Sequence, residues 1–201
     1  MFWSAPRAFI GERGFILGGG PSLKGFDPDP IRGRGRVIAA NNAALDIMPD
    51  ADVLFAADRR WFKWNADRLK ANGSLWRVGR ERQEPREPTP WPLHVMRHDA
   101  NLTLSTRADT LAGKCSGGMC INLAFLMGAK EIVLLGFDMR PGNYHEAHQS
   151  PTAAHLYAND FRPAIERMAP ELAARGVRVV NATPGSALTC FPAVSFGETL
   201  T

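Results

Sequence analysis

The sequence predicts an α/β fold built on a doubly wound, mostly parallel sheet, and two patterns carry that prediction. Short runs of β-branched and apolar residues recur along the chain, and each run ends in small or polar residues. Helical patterns lie between these runs. Because the runs are continuous rather than alternating, they are typical of strands that are buried on both faces of a parallel sheet.

The predicted strands share this form from one end of the chain to the other. Five runs cover residues 15–17, 37–40, 53–55, 132–135 and 177–180. A sixth strand, at residues 93–96, follows a stretch that breaks the pattern. That stretch, residues 80–92, holds four prolines and many charges, so we expect an exposed excursion rather than a linker between domains.

Three helices are predicted between the strands. Residues 117–127 are apolar nearly all round, which predicts a buried helix that ends at Gly128. Residues 160–174 carry a helical stripe, in which Pro163 fits the first turn and Pro170 should kink or divide the helix. Residues 59–70 predict a more polar helix. This alternation indicates one Rossmann-like domain over residues 1–201, with right-handed crossovers.

Composition narrows the class of protein. With 201 residues, 45% of them apolar and 22% charged, the chain can bury a core of its own. It has no apolar run approaching a membrane span, its first residues lack a secretion signal, and its three cysteines have no metal-ligand spacing. We therefore expect a cytoplasmic protein with no membrane partner. A homo-oligomer stays open.

The basic charge is a weaker signal. A net charge of +4 is compatible with nucleic acid, with phosphorylated ligands, or with neither. The arginines are scattered through residues 32–36, 59–60, 77–86 and 162–178. A solvated basic surface accounts for them as well as a ligand does.

A glycine-rich turn follows the first predicted strand and is the first candidate site. Glycines let the backbone approach an anion, and a helix that starts after them adds a favourable partial charge. The turn lacks the second half of both the dinucleotide fingerprint and the P-loop, so an ordinary tight turn stays open. Its residues are Gly18, Gly19, Gly20, Pro21 and Ser22.

The start of the buried helix is the second candidate site. Ser116 can cap the helix, and Gly117 lets a ligand come close. A cap without any ligand is the alternative. Polar residues at strand ends form the third candidate, because five such ends on one edge of a sheet would line a cleft, although each is also a common turn former. They are Asn41, Asn42, Asp58, Asp138 and Asn181.

The loop at residues 139–155, after the strand that ends in Gly-Phe-Asp, is expected to be a short catalytic lid. Histidine is a general base near neutral pH, and tyrosine or arginine can stabilise a departing phosphate. A metal site is the alternative, since two of the histidines are three residues apart with Asp138 upstream, and a structural surface loop is another. The loop holds Arg140, Tyr144, His145, His148 and His155.

Taken together, these motifs resemble a known superfamily. The motifs are GGGPSLK at 18–24, a strand ending in Asn41, Ser116-Gly117, and GAKEIVLLGFD at 128–138. They resemble the bacterial family-42 sialyltransferases, which use CMP-sialic acid. They also resemble the MptE-like family, which includes archaeal 6-hydroxymethylpterin diphosphokinases and motility accessory factor glycosyltransferases. The resemblance covers roughly residues 14–190.

The compact form of the chain, with AADRRW at 56–61, is similar to uncharacterised proteins from phage and prophage genomes. If the protein is encoded by a phage, the cytoplasm in which we expect it is that of the host cell. The superfamily also implies a nucleotide site. The residues expected to contact the nucleotide are Gly18, Gly19, Gly20, Pro21, Ser22, Asn41, Asn42, Asp58, Ser116, Gly117 and Asp138.

The resemblance also implies catalytic roles. The sialyltransferase base is a histidine five residues before the aspartate that begins the final helix, a spacing that His155 and Asp160 reproduce. Two tyrosines after the Gly-x-Asp strand hold the leaving phosphate in that family. In this chain Tyr144 takes one place, and Met139 or Arg140 takes the other.

Three hypotheses follow. The first is a small, sialyltransferase-like glycosyltransferase that uses a nucleotide or sugar-nucleotide donor and needs no cofactor, with His155 as the base and Tyr144 and Arg140 at the leaving phosphate. Its acceptor stays open between a glycan and a modified DNA base. The second is a diphosphokinase of the 6-hydroxymethylpterin type that depends on Mg²⁺. Its metal ligands would be drawn from Asp58, Asp138, His145 and His148. The third is a nucleotide-binding accessory protein without catalysis.

Overall fold

A computed structural model describes residues 1–83, 92–146 and 152–201. Within them the strands form one eight-stranded sheet, and all of the paired neighbours are parallel. The predicted α/β class is confirmed, with a sheet that is parallel throughout. The strands are β1 Arg13–Leu17, β2 Arg36–Ala40, β3 Val53–Ala56, β4 Trp76–Glu81, β5 His94–His98, β6 Thr110–Leu111, β7 Glu131–Leu135 and β8 Arg178–Asn181.

Helices cover both faces of this sheet. The α-helices are α1 Ala43–Asp46, α2 Arg59–Trp64, α3 Ala66–Lys70, α4 Ser116–Met127, α5 Ala154–Leu156 and α6 Arg162–Ala174. Short 3₁₀ turns lie at Pro21–Leu23, Asp29–Ile31 and Gly197–Leu200, and a π-helical turn at Tyr157–Phe161 joins α5 to α6. In the described ranges, no helix has the length and apolar character needed to cross a membrane.

The sheet is buried on both faces, as the continuous apolar runs predict. Along β1, Phe15 and Leu17 pack into one apolar cluster, which includes Leu23 and Trp61. Ile16 points the other way, into a second cluster that contains most of α4. Successive side chains of a strand face opposite sides of a sheet, so both clusters draw on the same strands. Each fully buried side chain of this size contributes roughly 1.5–3 kcal/mol.

The order of the strands places a switch point beside β1. The order is β6-β5-β4-β3-β2-β1-β7-β8, so the chain winds outward from β1 to β6 and then returns through α4 to β7. Ligands of open α/β sheets bind at the carboxyl ends of the strands where the winding direction changes. That point lies between β1 and β7, whose ends carry the glycine-rich turn and the Gly-Phe-Asp motif.

Some predicted boundaries were wrong. The excursion was placed from residue 80, but β4 continues through Glu81; residues 84–91 of that stretch lie outside the described residues. The helix predicted over 59–70 is two helices, because the backbone of Asn65 leaves the helical conformation. Pro170 does not divide α6. Pro170 and Glu166 are both exposed, so water can bond the Glu166 carbonyl that the proline leaves without an N–H.

Candidate functional site

A cleft of about 850 Å³ lies over the carboxyl ends of the strands. Its walls come from the segments that follow β1, β2, β3 and β7, from the end of β4, and from the start of α4. A volume of this size is within the range of small-molecule sites, and its position matches the switch point of the sheet. Most of the predicted site residues border this cleft, but several of them are turned into the protein instead.

The glycine-rich turn borders the cleft through all three of its glycines. A Cβ atom at Gly18 would lie 2.6 Å from the carbonyl oxygen of Gly136, and one at Gly20 would lie 1.9 Å from the carboxylate of Asp138. At Gly19 a Cβ would meet nothing closer than an oxygen of Asn143 at 3.7 Å. Two glycines are therefore needed for close packing against β7, whereas Gly19 exposes its backbone to the cleft.

Hydrogen bonds hold this turn against the end of β7. The backbone N–H of Gly18 donates to the carbonyl of Leu135 at 2.8 Å, and that of Gly20 donates to Gly136 at 3.0 Å. The Ser22 hydroxyl donates to the Asp138 carboxylate at 2.7 Å. Ser22 and the buried Asp138 thus bond each other, and the described cleft wall includes neither of them nor Pro21. These three predicted nucleotide contacts shape the turn from behind.

The strand-end asparagines divide between the cleft and the core. Asn41 borders the cleft and has a φ of 51°, a left-handed conformation that asparagine tolerates better than most residues. Asn42 also borders it, but its side-chain oxygen accepts a buried hydrogen bond from the Trp61 indole at 2.8 Å. Asn181 is buried outside the cleft, where it bonds the backbones of Thr183 and Leu188.

The start of α4 opens into the cleft, although its cap differs from the prediction. Ser116 was predicted to cap the helix; instead the Cys115 sulfur accepts from the Gly118 N–H, and Ser116 is the first helical residue. Ser116 therefore lies in the cleft wall beside Gly117. A Cβ at Gly117 would lie 2.8 Å from the Phe137 ring, so this position requires glycine for packing.

Asp58 borders the cleft as the N-cap of α2. Its carboxylate accepts from the backbone N–H of Arg60 at 2.9 Å and from the Arg60 guanidinium at 2.7 Å. The hydrogen bond from Arg60 lowers the pKa of Asp58 below its ordinary value, against a smaller opposing effect of burial. Asp58 is therefore a carboxylate at neutral pH, with its charge largely offset by Arg60.

The first part of the predicted lid loop is tied across the cleft. The Tyr144 hydroxyl donates to Asp46 at 2.8 Å, and its backbone N–H donates to the Gly19 carbonyl at 3.3 Å. Burial, together with the bond to Asp46, raises the pKa of Tyr144 far above its ordinary value, so the phenol stays neutral. Arg140 donates to the Gly185 carbonyl. Both side chains border the cleft, and so does His145, whose ring packs edge-on against Tyr144.

The remaining histidines lie elsewhere. His155, the predicted base, is exposed on α5 and does not border the cleft as far as the described residues define it. His148 lies outside the described residues. Two residues after His155, the π-helical turn brings Tyr157 and Phe161 into the cleft wall. Single π-helical turns are frequent at functional sites, and they leave little trace in a sequence.

Besides the predicted Arg140, the cleft contains basic and aromatic side chains that were not predicted as site residues. Five arginines border it, against the two carboxylates Asp58 and Glu81 in its described wall. Trp64 joins them, 43% exposed. The signal was available, because α2 directly follows the carboxyl end of β3 and its sequence, RRWFKW, is basic and aromatic. The arginines are Arg59, Arg60, Arg68, Arg80 and Arg140.

The two aspartates suggested as magnesium ligands do not fit one site. Asp58 follows β3 and Asp138 follows β7, and two strands separate these in the sheet, which puts the strand ends roughly 14 Å apart. The Asp138 carboxylate is also occupied by Ser22. Across the described ranges, no three histidine, cysteine or acidic side chains are grouped as a metal site would require.

No protein-family model matches this sequence, and no curated protein does. Solved structures do share its fold. The MAf glycosyltransferase from Magnetospirillum magneticum AMB-1 matches 96% of this chain with 14% identity and a TM-score of 0.61. The match spans 35% of that protein, so this chain is about a third of its length.

Two sialyltransferase structures match over most of both chains. The sialyltransferase CST-II in complex with a trisaccharide acceptor and CMP is 14% identical, covers 91% of this chain and 86% of its own, and gives a TM-score of 0.58. The structure of CstII from Campylobacter jejuni with the substrate analogue cytidine-5'-monophosphate is 15% identical, covers 92% and 86%, and gives 0.59. At this level of identity the likeness shows a shared fold.

Proposed function

We propose that this protein is a transferase that uses a nucleotide-activated donor, and more narrowly a small glycosyltransferase. One observation carries the proposal: the Gly19 backbone and the start of α4 border the same cleft at the switch point of the sheet. Backbone N–H groups and the N-terminus of a long helix both attract anions. The fold shared with glycosyltransferases supports the choice of reaction.

In this proposal the donor phosphate lies between Gly19 and Ser116, where no side chain of the turn fills the space. Asn41 and Asn42 border the adjoining part of the cleft, where the nucleoside would lie. CMP is the first nucleotide to test, because the sialyltransferase CST-II was solved with CMP. The transfer is proposed to need no metal.

The chemistry requires a base and a group that stabilises the leaving phosphate. The acceptor oxygen would bond to the anomeric carbon as that carbon's bond to the donor phosphate breaks. The acceptor proton passes to the base, and the nucleotide leaves with the bonding electrons. We propose His155 as the base, and Tyr144 with Arg140 at the leaving phosphate. His145 is the competing base, because its side chain borders the cleft.

The first experiment is a thermal-shift screen against nucleotides and sugar nucleotides, each with Mg²⁺ and with EDTA. A ligand at 100 times its dissociation constant stabilises the fold by about 2.7 kcal/mol, which gives a clear shift. Stabilisation by CMP, UDP or a sugar nucleotide in EDTA is the expected result. A shift with ATP and Mg²⁺ alone would support the diphosphokinase instead.

A substitution at Ser116 tests whether the ligand found in the screen binds where we propose. An acidic residue in the first turn of a helix favours the fold, but its charge repels a phosphate. Ser116→Asp should therefore melt at or above the wild-type temperature and lose the nucleotide shift. Ser116→Asn, similar in size and neutral, should keep most of it. Equal shifts in both variants would place the phosphate elsewhere.

The identity of the base is tested on the donor that the screen identifies. Release of nucleotide from that donor, in the presence of an acceptor, is compared for His155→Asn and His145→Asn. Loss of a general base typically slows a reaction by 10²- to 10⁴-fold. The proposal expects this loss for His155→Asn. The loss in His145→Asn alone would transfer the role to His145, and wild-type rates in both variants would assign the base to another residue. No release of nucleotide by the wild-type protein would point to the accessory protein.

A further inference from the structure

The solvent face of α2 is basic and aromatic. Within this helix Trp61 and Phe62 are buried against the sheet, which leaves every other side chain exposed. Those exposed side chains include no acid. They are Arg59, Arg60, Lys63 and Trp64.

The end of β4 continues this basic surface. Arg80 borders the cleft, and Arg82 follows it with an exposed side chain. Asp58, directly before α2, is close enough to Arg80 for that charge to favour its ionised form. Both arginines also act on His98 at the end of β5, which places them along the carboxyl edge of the sheet.

Most of these charges form no ion pair with the residues that the structure describes. Asp58 offsets Arg60. In the described part of the chain, the other four basic side chains form no ion pair. We call these four the basic band: Arg59, Lys63, Arg80 and Arg82.

The basic band extends beyond the cleft. Arg59 and Arg80 border the cleft, whereas Lys63 and Arg82 lie outside the wall that the described residues form. A small anion held in the cleft would not reach the outer two charges. A chain of regularly spaced phosphates that enters the cleft and continues past its mouth would reach both the inner and the outer pair of charges.

Trp64 gives this surface a flat apolar face. It is 43% exposed at the cleft wall, and the Arg60 guanidinium lies 5.4 Å from its ring centroid. Proteins that bind single-stranded nucleic acid combine exposed aromatic rings, on which unpaired bases stack, with nearby cations that contact the phosphates. A base stacked on Trp64 would lie at the entrance of the proposed transferase cleft.

We propose that the basic band and Trp64 form a docking face for single-stranded nucleic acid, and that the docked strand is the acceptor of the transfer. The role as acceptor rests on the function proposed above. Binding of the strand does not, so the two can be tested separately. In the transfer itself, a hydroxyl oxygen of the strand would bond to the anomeric carbon of the donor as the bond to the donor phosphate breaks. The hydroxyl proton would pass to the base, and the nucleotide would leave.

The test is fluorescence anisotropy of the full-length protein with a fluorescein-labelled dT20 strand, its RNA counterpart, and a duplex of the same length. Binding of the strands should weaken as salt rises, so that log Kd increases with log salt at a slope of about +3 for four cations. Heparin serves as a polyanion without bases. It should compete less well than an unlabelled strand of equal charge.

Three variants identify the surface. Trp64→Ala should weaken strand binding roughly 5- to 150-fold, the range expected for one stacked base. Lys63→Glu with Arg82→Glu should weaken it by about tenfold or more and flatten the salt dependence. Arg7→Glu with Lys130→Glu is the matched control. It makes the same change in charge with two exposed residues at the opposite edge of the sheet, where Lys130 precedes β7 and Arg7 approaches the end of α4.

The outcomes separate the possibilities. Loss in the first two variants with retention in the control supports the docking face. The proposal is overturned if no strand binds at 50 mM salt, if the control weakens binding as much as the test variant, or if Trp64→Ala has no effect while heparin competes fully. Strand binding without any nucleotide shift would support the docking face and count against the transferase. A nucleotide shift without strand binding would do the reverse.

Discussion

The Asp138 carboxylate accepts hydrogen bonds from both the hydroxyl and the backbone N–H of Ser22, at 2.7 and 3.2 Å. These residues are 116 positions apart, and they join the turn after β1 to the segment after β7. The pair lies behind the glycine-rich turn rather than in the cleft. It therefore fixes the backbone of the turn from the protein side and leaves the other side open to a ligand.

Adding a methyl group at Gly20 should disrupt this arrangement. Its Cβ would lie 1.9 Å from the Asp138 carboxylate and 2.8 Å from the Gly136 carbonyl oxygen, so the carboxylate must leave Ser22. We expect Gly20→Ala to lower the free energy of unfolding by about 2–4 kcal/mol, measured by urea denaturation. Gly19→Ala is the control, because its Cβ has open space, and it should change stability by about 0.5 kcal/mol or less.

The bond between Ser22 and Asp138 can be measured directly with a double-mutant cycle. Ser22→Ala alone leaves a buried carboxylate with fewer donors, so we expect a loss of about 1.5–3 kcal/mol in unfolding free energy. In an Asp138→Ala background the same substitution should cost much less. Additive losses would mean that the two side chains do not stabilise the fold through each other.

The sequence predicted the sheet well because its central strands are apolar throughout. Strand β7, EIVLL, and strand β1, RGFIL, end in apolar runs that are buried on both faces of the sheet, and such runs admit few alternatives. Strand β4, WRVGRE, was missed because half of its residues are charged, and only its pairing between β3 and β5 makes it a strand. Local propensity cannot report such pairing, since it depends on the rest of the fold.

The candidate site was predicted only in part, because some of its features are local in the sequence and others depend on long-range pairing. Glycines after a strand indicate a close backbone approach, and that signal is local. The Asp138 side chain bonds Ser22 instead of facing the cleft because β7 lies beside β1. No local sequence pattern carries information about that pairing. The cap of α4 shifted by one residue because a cysteine, rarely considered a cap, precedes the serine. That shift leaves Ser116 in the cleft wall.

One wall of the cleft depends on a buried bond between Trp61 and Asn42. The indole N–H donates to the Asn42 side-chain oxygen at 2.8 Å, and both residues are 8% exposed. Trp61→Phe removes the donor and leaves a buried oxygen unpaired, so we expect a loss of about 1–3 kcal/mol in unfolding free energy. Trp64→Phe, at an exposed ring, should stay within about 0.5 kcal/mol. Similar losses in both would show that ring packing matters more than the hydrogen bond.

Stability should fall on the acid side because of a buried histidine. The Nε2 atom of His98 lies 2.9 Å from the Gly113 carbonyl oxygen, and its Nδ1 atom is buried without a hydrogen-bond partner among the described residues. Burial lowers the pKa of His98 below 6.5, and the charges of Arg80 and Arg82 act in the same direction, against the bond to Gly113. The neutral ring is therefore the form that the folded protein favours.

Because the folded pKa lies below the unfolded value of 6.5, the unfolded chain binds the proton first as the pH falls. The stability from the neutral ring is complete above pH 6.5 and is lost progressively below it, by at most about 1.4 kcal/mol per pH unit for one site. His98→Gln, which keeps a donor for Gly113, should reduce this loss between pH 7.5 and 5. Some loss should remain, since burial also lowers the pKa of His94. Urea midpoints at the two pH values measure this loss of stability. The control is His155→Gln, at an exposed site, which should lose as much stability as the wild-type protein. An unchanged loss in His98→Gln would assign the acid sensitivity to other groups.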